Sequence, residues 1–558
     1  MRPGSSRQAT FLSAATARPE SRWRWTRVDS VCVVLGFIFT LSLAATMGYQ
    51  RIFWEDELLG WMLLRDPSWQ HMLVGWLKGV DGGGILFYIT GRLWFAVFGA
   101  SILSFRMYSA TGFAIALAAL WVGARRFYSP ATVAFAILIT WFTSPVLVQA
   151  LCEGRFYGLL MASDAAAVLL FLYVADKTKI RRAFYILVFF VHACLVLSHI
   201  LGIVYSSFIV LAMVALDYMR KRWRPGLYLA AILPDLLLIP CLPAIKASAH
   251  VGKPHFWSKQ PNLPHFLTDY SGFSTTLGLL MILGVVFLFV RLGKQGLKSR
   301  IESAGERKPS AYAYVACIFG LPILLLIEGF FGAPLCTPRY LLPTVVGTMF
   351  LIAEITTLAT GAAPERVSSG SRLRTASWAV FLTILLLYDF FYLPRNNPLE
   401  HDYTAALTSE LPKHIPVVCE DAFAFTGLIS RQHGSDVPYK FLLDWKNAVA
   451  PKAPRVEVTQ YHLMENWKNQ GYFSGSIVDR DAFLKETPYF YSINFIDISH
   501  PAFGRPVEVK RSLDAGNPIH QELARMPAYR VRLEKVVALK EHAVNVWRIC
   551  RNDVPQCR

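Results

Sequence analysis

Eleven apolar stretches recur along this chain, near residues 30–48, 105–123, 131–149, 155–175, 181–198, 200–218, 227–246, 274–292, 311–331, 340–360 and 376–394. A bilayer crossing takes about 20 mostly apolar residues, so repeated windows of this length restrict the chain to a polytopic α-helical membrane protein. The composition agrees: 54% of the 558 residues are hydrophobic and 14% aromatic, too apolar for a soluble protein of this size.

The net charge of +18 would suit nucleic acid if it were spread over one surface. Instead the Lys/Arg clusters fall in alternate short loops: Arg22/Arg24/Arg27, Arg125/Arg126, Lys177–Arg182, Arg220–Arg224, Lys294–Lys308 and Arg366–Arg374. This alternation is the positive-inside pattern. It places the N-terminus in the cytoplasm and leaves nucleic acid out as a partner. If the first span exits near residue 49 and Arg125/Arg126 lie inside, an odd number of crossings separates them. A twelfth apolar segment, 84–100, carries Arg92 behind three glycines; parity makes it a re-entrant or surface-lying helix. About eleven crossings follow, with the C-terminus outside. Residues 1–48 have the shape of a signal peptide, but the apolar run is long enough to span and reads as a retained anchor.

Three regions result: a basic cytoplasmic tail (1–28), a transmembrane domain (29–394) with a first outer loop at 49–104, and a more polar C-terminal region (395–558). In the last, "PVVCE", "YKFLLDW", "YFYSINF" and "VNVWRIC" have the patterning of short strands. "DAFAFTGLISR" and "DRDAFLKE" begin with Asp where a helix needs an N-cap. A small extracytoplasmic α/β domain is expected. Nine cysteines show no metal-finger spacing; one disulfide is open among Cys419, Cys550 and Cys557.

Chemistry collects on the outer side. "WEDELLG" sets Asp56 beside Glu57, about 100° apart on a helix, so one can face a cavity while the other pairs elsewhere. A solvated loop end, followed by an interfacial helix over 61–79, is the competing reading, with Glu55 as a surface residue. "DGGGILFY" joins Asp81 to three glycines that permit close backbone approach. "CEGRFYG" holds Glu153, Arg155 and Tyr157, where a simple Glu–Arg salt bridge would also fit. His199 ends a span, and Arg339 and Tyr340 open another at "PRYLLP"; an arginine there either grips a phosphate or snorkels. Lys253 and Lys259 interleave with aromatics in the 247–273 loop, which either covers a lipid phosphate or lies in the interface. Asp164 and Asp235 fall inside spans, as packing or cavity residues.

In this order the motifs resemble the GT-C superfamily of membrane glycosyltransferases, which use polyprenyl-phosphate sugars. The nearest resemblance is to the branch related to protein O-mannosyltransferases and lipid A aminoarabinose transferases. It is carried by "FWEDELLG", "GILFYITGRLWFAVFGASILSFRMYSATG", "CEGRFYGLL", "SHILG" and "PRYLLP" over roughly 28–394. The family's "HPPLYY" is replaced by "GGGILFY", with Asp81 supplying some of the lost polarity.

The resemblance implies a GT-C-like fold. It also implies an inverting transfer of a monosaccharide from a polyprenyl-phosphate donor to an acceptor hydroxyl at the outer face of the inner (plasma) membrane, facing the periplasm in a Gram-negative cell. The acceptor is a lipid, glycan or protein. Asp56 would be the general base, and Glu57 would orient the acceptor or nearby cations. Arg339 would bind the donor phosphate, assisted by Arg155, Tyr340 and, as a lid, Lys253 and Lys259. Glu153, His199, Asp81 and Tyr157 would line the acceptor side or cavity. Metal dependence varies within the superfamily; no cofactor and no metal-ligand set stands out. A polytopic transporter or lipid-linked sugar flippase is the alternative, but it favours internal repeats and charges at mid-membrane.

Overall fold

The computed structural model describes residues 25–53, 55–252, 275–331, 337–360, 402–430, 436–448, 455–497, 519–539 and 542–555. The expected span 376–394, the domain boundary at 394/395, and Lys253 and Lys259 lie outside these residues. So does the side chain of Glu55.

Six described helices are long and apolar enough to cross a membrane: Arg27–Tyr49, Ile102–Ala124, Tyr157–Ala175, Gly202–Met219, Pro225–Ala249 and Pro309–Phe331. Shorter apolar helices at Ile85–Phe98, Pro130–Trp141, Arg182–Ser198 and Thr344–Ala359 accompany them. The chain is an integral membrane protein. Its first helices are α1 (Arg27–Gln50), α2 (Glu55–Arg65), α3 (Trp69–Leu77), α4 (Ile85–Phe98), α5 (Ile102–Ala124), α6 (Pro130–Thr143), α7 (Pro145–Leu151), α8 (Tyr157–Ala175), α9 (Arg182–Ser198) and α10 (Gly202–Met219).

Local chemistry sets these boundaries. Thr26 and Asp29 form a capping box at the start of α1. Asp29 also accepts from Arg125 Nε at 2.6 Å and Trp121 Nε1 at 3.1 Å, which fastens the start of α1 to the end of α5. Gly112 of α5 and Gly158 of α8 let those helices touch: a Cβ on Gly158 would lie 1.8 Å from Ser109 O. Helix α4 has 14 residues, about 21 Å, short of the hydrocarbon thickness of about 30 Å.

Proline redraws three expected elements. The helix expected over 61–79 is broken at Asp66–Pro67–Ser68 into α2 and α3, with Ser68 Oγ capping His71 N at 3.2 Å. The span near 131–149 breaks at Pro145, where Ser144 caps α7. The span near 227–246 passes through a 3₁₀ segment, Leu233–Cys241, containing Pro234 and Pro240. The connection expected over 293–310 is instead helical: Thr275–Arg307 continues through a bend at Gly293, where φ is +64°.

The C-terminal region holds a six-stranded sheet in the order β3-β2-β1-β4-β6-β5. The strands are β1 (Val417–Cys419), β2 (Tyr439–Leu443), β3 (Ile477–Asp479), β4 (Tyr489–Asp497), β5 (Tyr529–Ala538) and β6 (His542–Arg551). The first four run parallel, and β6 and β5 continue antiparallel. The expected Asp caps are present: Asp421 Oδ1 accepts from Ala424 N at 2.8 Å, and Asp479 accepts from Asp481 N and Ala482 N. Cys419 is a buried free thiol, whereas Cys550 is disulfide-bonded.

This domain sits on the first loop. Asp66 accepts from the Tyr472 hydroxyl at 2.7 Å and pairs with His71 Nδ1; His71 Nε2 faces Gln470 O at 2.8 Å, and Asn466 Nδ2 donates to Lys78 O at 3.0 Å. The hydrogen bond to Asp66 raises the His71 pKa above its ordinary value. Burial opposes ionisation of Asp66, but Tyr472, Ser68 N and His71 bring its pKa below the usual carboxylate range.

The signs give a window. The His71 contribution is fully present below about pH 6.5, the unfolded value, and is lost as pH rises through its raised folded pKa. The Asp66 contribution is present above about pH 4 and is lost as pH falls through its lowered folded pKa. Thermal unfolding of the detergent-solubilised protein should therefore show a loss of midpoint as pH rises from about 6.5 that His71→Ala abolishes.

Candidate active site

Helix α2 begins with three acids, which its exposed backbone N–H groups favour. Adjacent residues point apart, and the two acids meet different surroundings. Glu57 is fully buried. Its Oε1 accepts from Arg106 Nε at 2.8 Å and Gly154 N at 2.7 Å, and its Oε2 accepts from Arg106 Nη2 at 2.7 Å. Arg106, one turn into α5, also donates to the carbonyls of Gly48, Arg51 (3.1 Å) and Ile52 (2.9 Å). Burial opposes charge on Glu57, but Arg106, Arg51 and the Gly154 N–H keep its pKa below the usual range.

Asp56 turns the other way and is partly exposed. Its Oδ2 lies 2.9 Å from Arg339 Nη1 and 3.9 Å from Arg155 Nη2, while its backbone carbonyl accepts from Arg155 Nη1. Arg155 is buried, and its Nη1 reaches Asp81 Oδ1 at 3.2 Å; the Tyr88 hydroxyl donates to the other oxygen of Asp81. Burial opposes charge on Arg155, yet Asp81 and Asp56 hold its pKa above the ordinary arginine value. Arg339 sits in the 3₁₀ turn Pro338–Leu341. Burial opposes its charge too, and Tyr157, Asp56 and Glu153 outweigh it in that order.

The glycines of 82–84 place Asp81. Gly84 N donates to Ser198 O at 3.2 Å, and a Cβ there would come within 2.2 Å of Leu197 O. Trp76 Nε1 fixes the turn by donating to Gly83 O at 2.8 Å.

The structure thus brings Asp56, Asp81, Arg155 and Arg339 together, with Tyr157 and Glu153 near enough to act on Arg339. The Glu153–Arg155 salt bridge that the sequence offered is absent. Glu153 pairs instead with Arg51 Nη2 at 3.0 Å and with Gln149 Nε2 at 3.1 Å. His199 caps a turn, its Nδ1 accepting from Leu201 N at 3.2 Å, and stacks on Phe156 with ring centres 4.5 Å apart. The Tyr340 ring lies 5.9 Å from His199, and its carbonyl accepts from Tyr205 at 2.8 Å. Asp164 is buried in α8 with neither oxygen hydrogen-bonded among the described residues.

Arg51 and Arg106 are the members that sequence reasoning passed over. The signal for Arg106 was a lone arginine entering an apolar span; nothing local marked Arg51. Among the described residues no three His, Cys, Asp or Glu side chains gather as a metal site. The two guanidinium groups flanking Asp56 are the groups here that could hold a phosphate bidentately, in competition with their carboxylate partners.

No protein-family model matches the chain, and no curated protein matches it. Solved structures do. ArnT from Cupriavidus metallidurans bound to undecaprenyl phosphate is 12% identical, covering 93% of this chain and 97% of that one, with a TM-score of 0.55. Its apo state is 13% identical at the same coverage and score. AglB, the oligosaccharyltransferase of Archaeoglobus fulgidus, in complex with an inhibitory peptide and a dolichol-phosphate, is 10% identical over 83% of this chain and 69% of that one, with a TM-score of 0.43. The chain shares the fold of ArnT.

Breaking a buried ion pair leaves a charge without compensation. Glu57→Ala should cost about 3–5 kcal/mol, read as a lowered thermal unfolding midpoint in detergent. An unchanged midpoint would show that the Arg106 cluster does not hold this end of the bundle.

Proposed function

We propose that the protein is an inverting glycosyltransferase that moves a monosaccharide from a polyprenyl-phosphate donor to an acceptor hydroxyl. The observation that carries this reading is a partly exposed carboxylate, Asp56, 2.9 Å from a partly exposed guanidinium, Arg339, within the fold of a protein that binds undecaprenyl phosphate. The site would lie at the extracytoplasmic face, below the α/β domain.

Asp56 takes the proton of the acceptor hydroxyl as that oxygen attacks the anomeric carbon. The bond from that carbon to the phosphate oxygen breaks, and its electron pair leaves with the lipid phosphate. Arg339 neutralises the charge that develops there. Arg155, held by Asp81, is the fixed cation that positions Asp56. Glu57 anchors the loop through Arg106, so it supports the base from behind. Tyr157, Glu153 and Tyr340 form the surroundings of Arg339, His199 packs beside Tyr340, and Lys253 and Lys259 are retained as lid cations. The acceptor class is lipid, glycan or protein.

The test is transfer from radiolabelled undecaprenyl-phosphate hexoses and aminopentoses by the purified protein, with mass spectrometry of envelope lipids and glycans to find the product. A general base contributes about 10²–10⁴-fold, and Asp56→Asn should lose at least about 100-fold. Transfer by Asp56→Asn at the original rate would refute the base assignment. Sugar-lipid translocation in vesicles without any glycosylated product would favour a flippase.

A further inference from the structure

Four arginines and four carboxylates meet around the site: Arg51 with Glu153, Arg106 with Glu57, Arg155 with Asp81, and Arg339 with Asp56. Their charges cancel. Among the described residues each of these guanidinium groups has a carboxylate partner, so a lipid phosphodiester that binds one of them competes with that partner. Three of the pairs are sealed, with side chains no more than 9% exposed. The fourth is open: Arg339 is 31% and Asp56 29% exposed.

We propose that the donor phosphate displaces Asp56 from Arg339, so that the base is released only when donor lipid occupies the site. This rests on reading the site as a lipid-phosphate sugar transferase. Two anions on one guanidinium repel each other, and a phosphate gains most from the bidentate fork that Asp56 partly occupies. The carboxylate has a place to go. Arg155 Nη2 is 3.9 Å away, and Arg155 Nη1 already grips the Asp56 carbonyl. Asp81 and Tyr88 hold Arg155 still, so a small side-chain rotation moves the carboxylate off Arg339 without moving the helix.

The exchange couples two events. While Arg339 holds it, Asp56 is a poor proton acceptor. Arrival of the phosphate removes the nearer of the two described guanidinium groups from the carboxylate and frees that oxygen for the acceptor hydroxyl. Acceptor activation therefore waits for the donor, and a hydroxyl that enters an empty site stays protonated.

The experiment measures equilibrium binding of a labelled undecaprenyl-phosphate hexose, a phosphodiester of the proposed donor class, to the purified full-length protein in nanodiscs. Removing the competing carboxylate should tighten binding: Asp56→Asn and Asp56→Ala are expected to bind about fivefold more strongly, the value of a part-exposed ion pair. Asp56→Glu keeps the charge and should stay within about twofold of the unsubstituted protein. Equal or weaker binding by both neutral variants, with unfolding midpoints unchanged, overturns the exchange. If one neutral variant is destabilised, the other decides. Arg339→Gln should lose binding at least about tenfold; undiminished binding there would instead remove the phosphate-site reading itself.

Discussion

A buried arginine inside a membrane helix has to be satisfied, and Arg106 is satisfied by the end of α1, the start of α2 and the residues between them. Its guanidinium takes both oxygens of Glu57 and the carbonyls of Gly48, Arg51 and Ile52. Those acceptors come from the end of α1 and the start of α2, so one side chain closes the loop between them. Glu57 then reaches across to the Gly154 N–H, which brings in the turn that carries Arg155. In a low-dielectric surround such a network is rigid because any departure leaves a charge unpaired. Everything reactive at this site hangs on that frame.

The frame gives two neighbouring acids opposite fates. Glu57 faces inward and is consumed by structure. Asp56, one residue earlier, faces the opening between Arg155 and Arg339. Asp81 repeats the pattern: it is buried and spends its oxygens on Arg155 and Tyr88. Buried Asp81 thus holds Arg155, and buried Arg155 lies against Asp56, while the outermost pair, Asp56 and Arg339, stays partly exposed. The α/β domain adds a second support, since it grips the loop at Asp66 and Lys78.

Much of this was legible in the sequence because it depends on local patterns. Apolar length announced the six long apolar helices, Asp421 and Asp479 announced their helices, and alternating residues announced four of the strands. The two missed strands explain themselves: β3 has three residues, and β5 is an edge strand studded with Arg, Lys and Glu, mostly exposed. Collection of Asp56, Arg155 and Arg339 at one end followed from topology and resemblance. Their partners did not. Glu153 chose Arg51, 102 residues away, over its neighbour Arg155, because the tight turn between α7 and α8 sends the two side chains apart. Pairings of that reach are decided by packing, as when Gly112 lets α8 lie against α5.

The chain order of the Arg106 network has a consequence for biogenesis. Every acceptor of that guanidinium, from Gly48 to Glu57, leaves the ribosome before Arg106 does. The same holds for Arg155, whose acceptors on Asp56 and Asp81 are made first. An arginine entering hydrocarbon alone is expensive, but here each one arrives where its counter-charge is already waiting. The loop therefore already carries the acceptors of Arg106 and Arg155 when those arginines follow it in the chain.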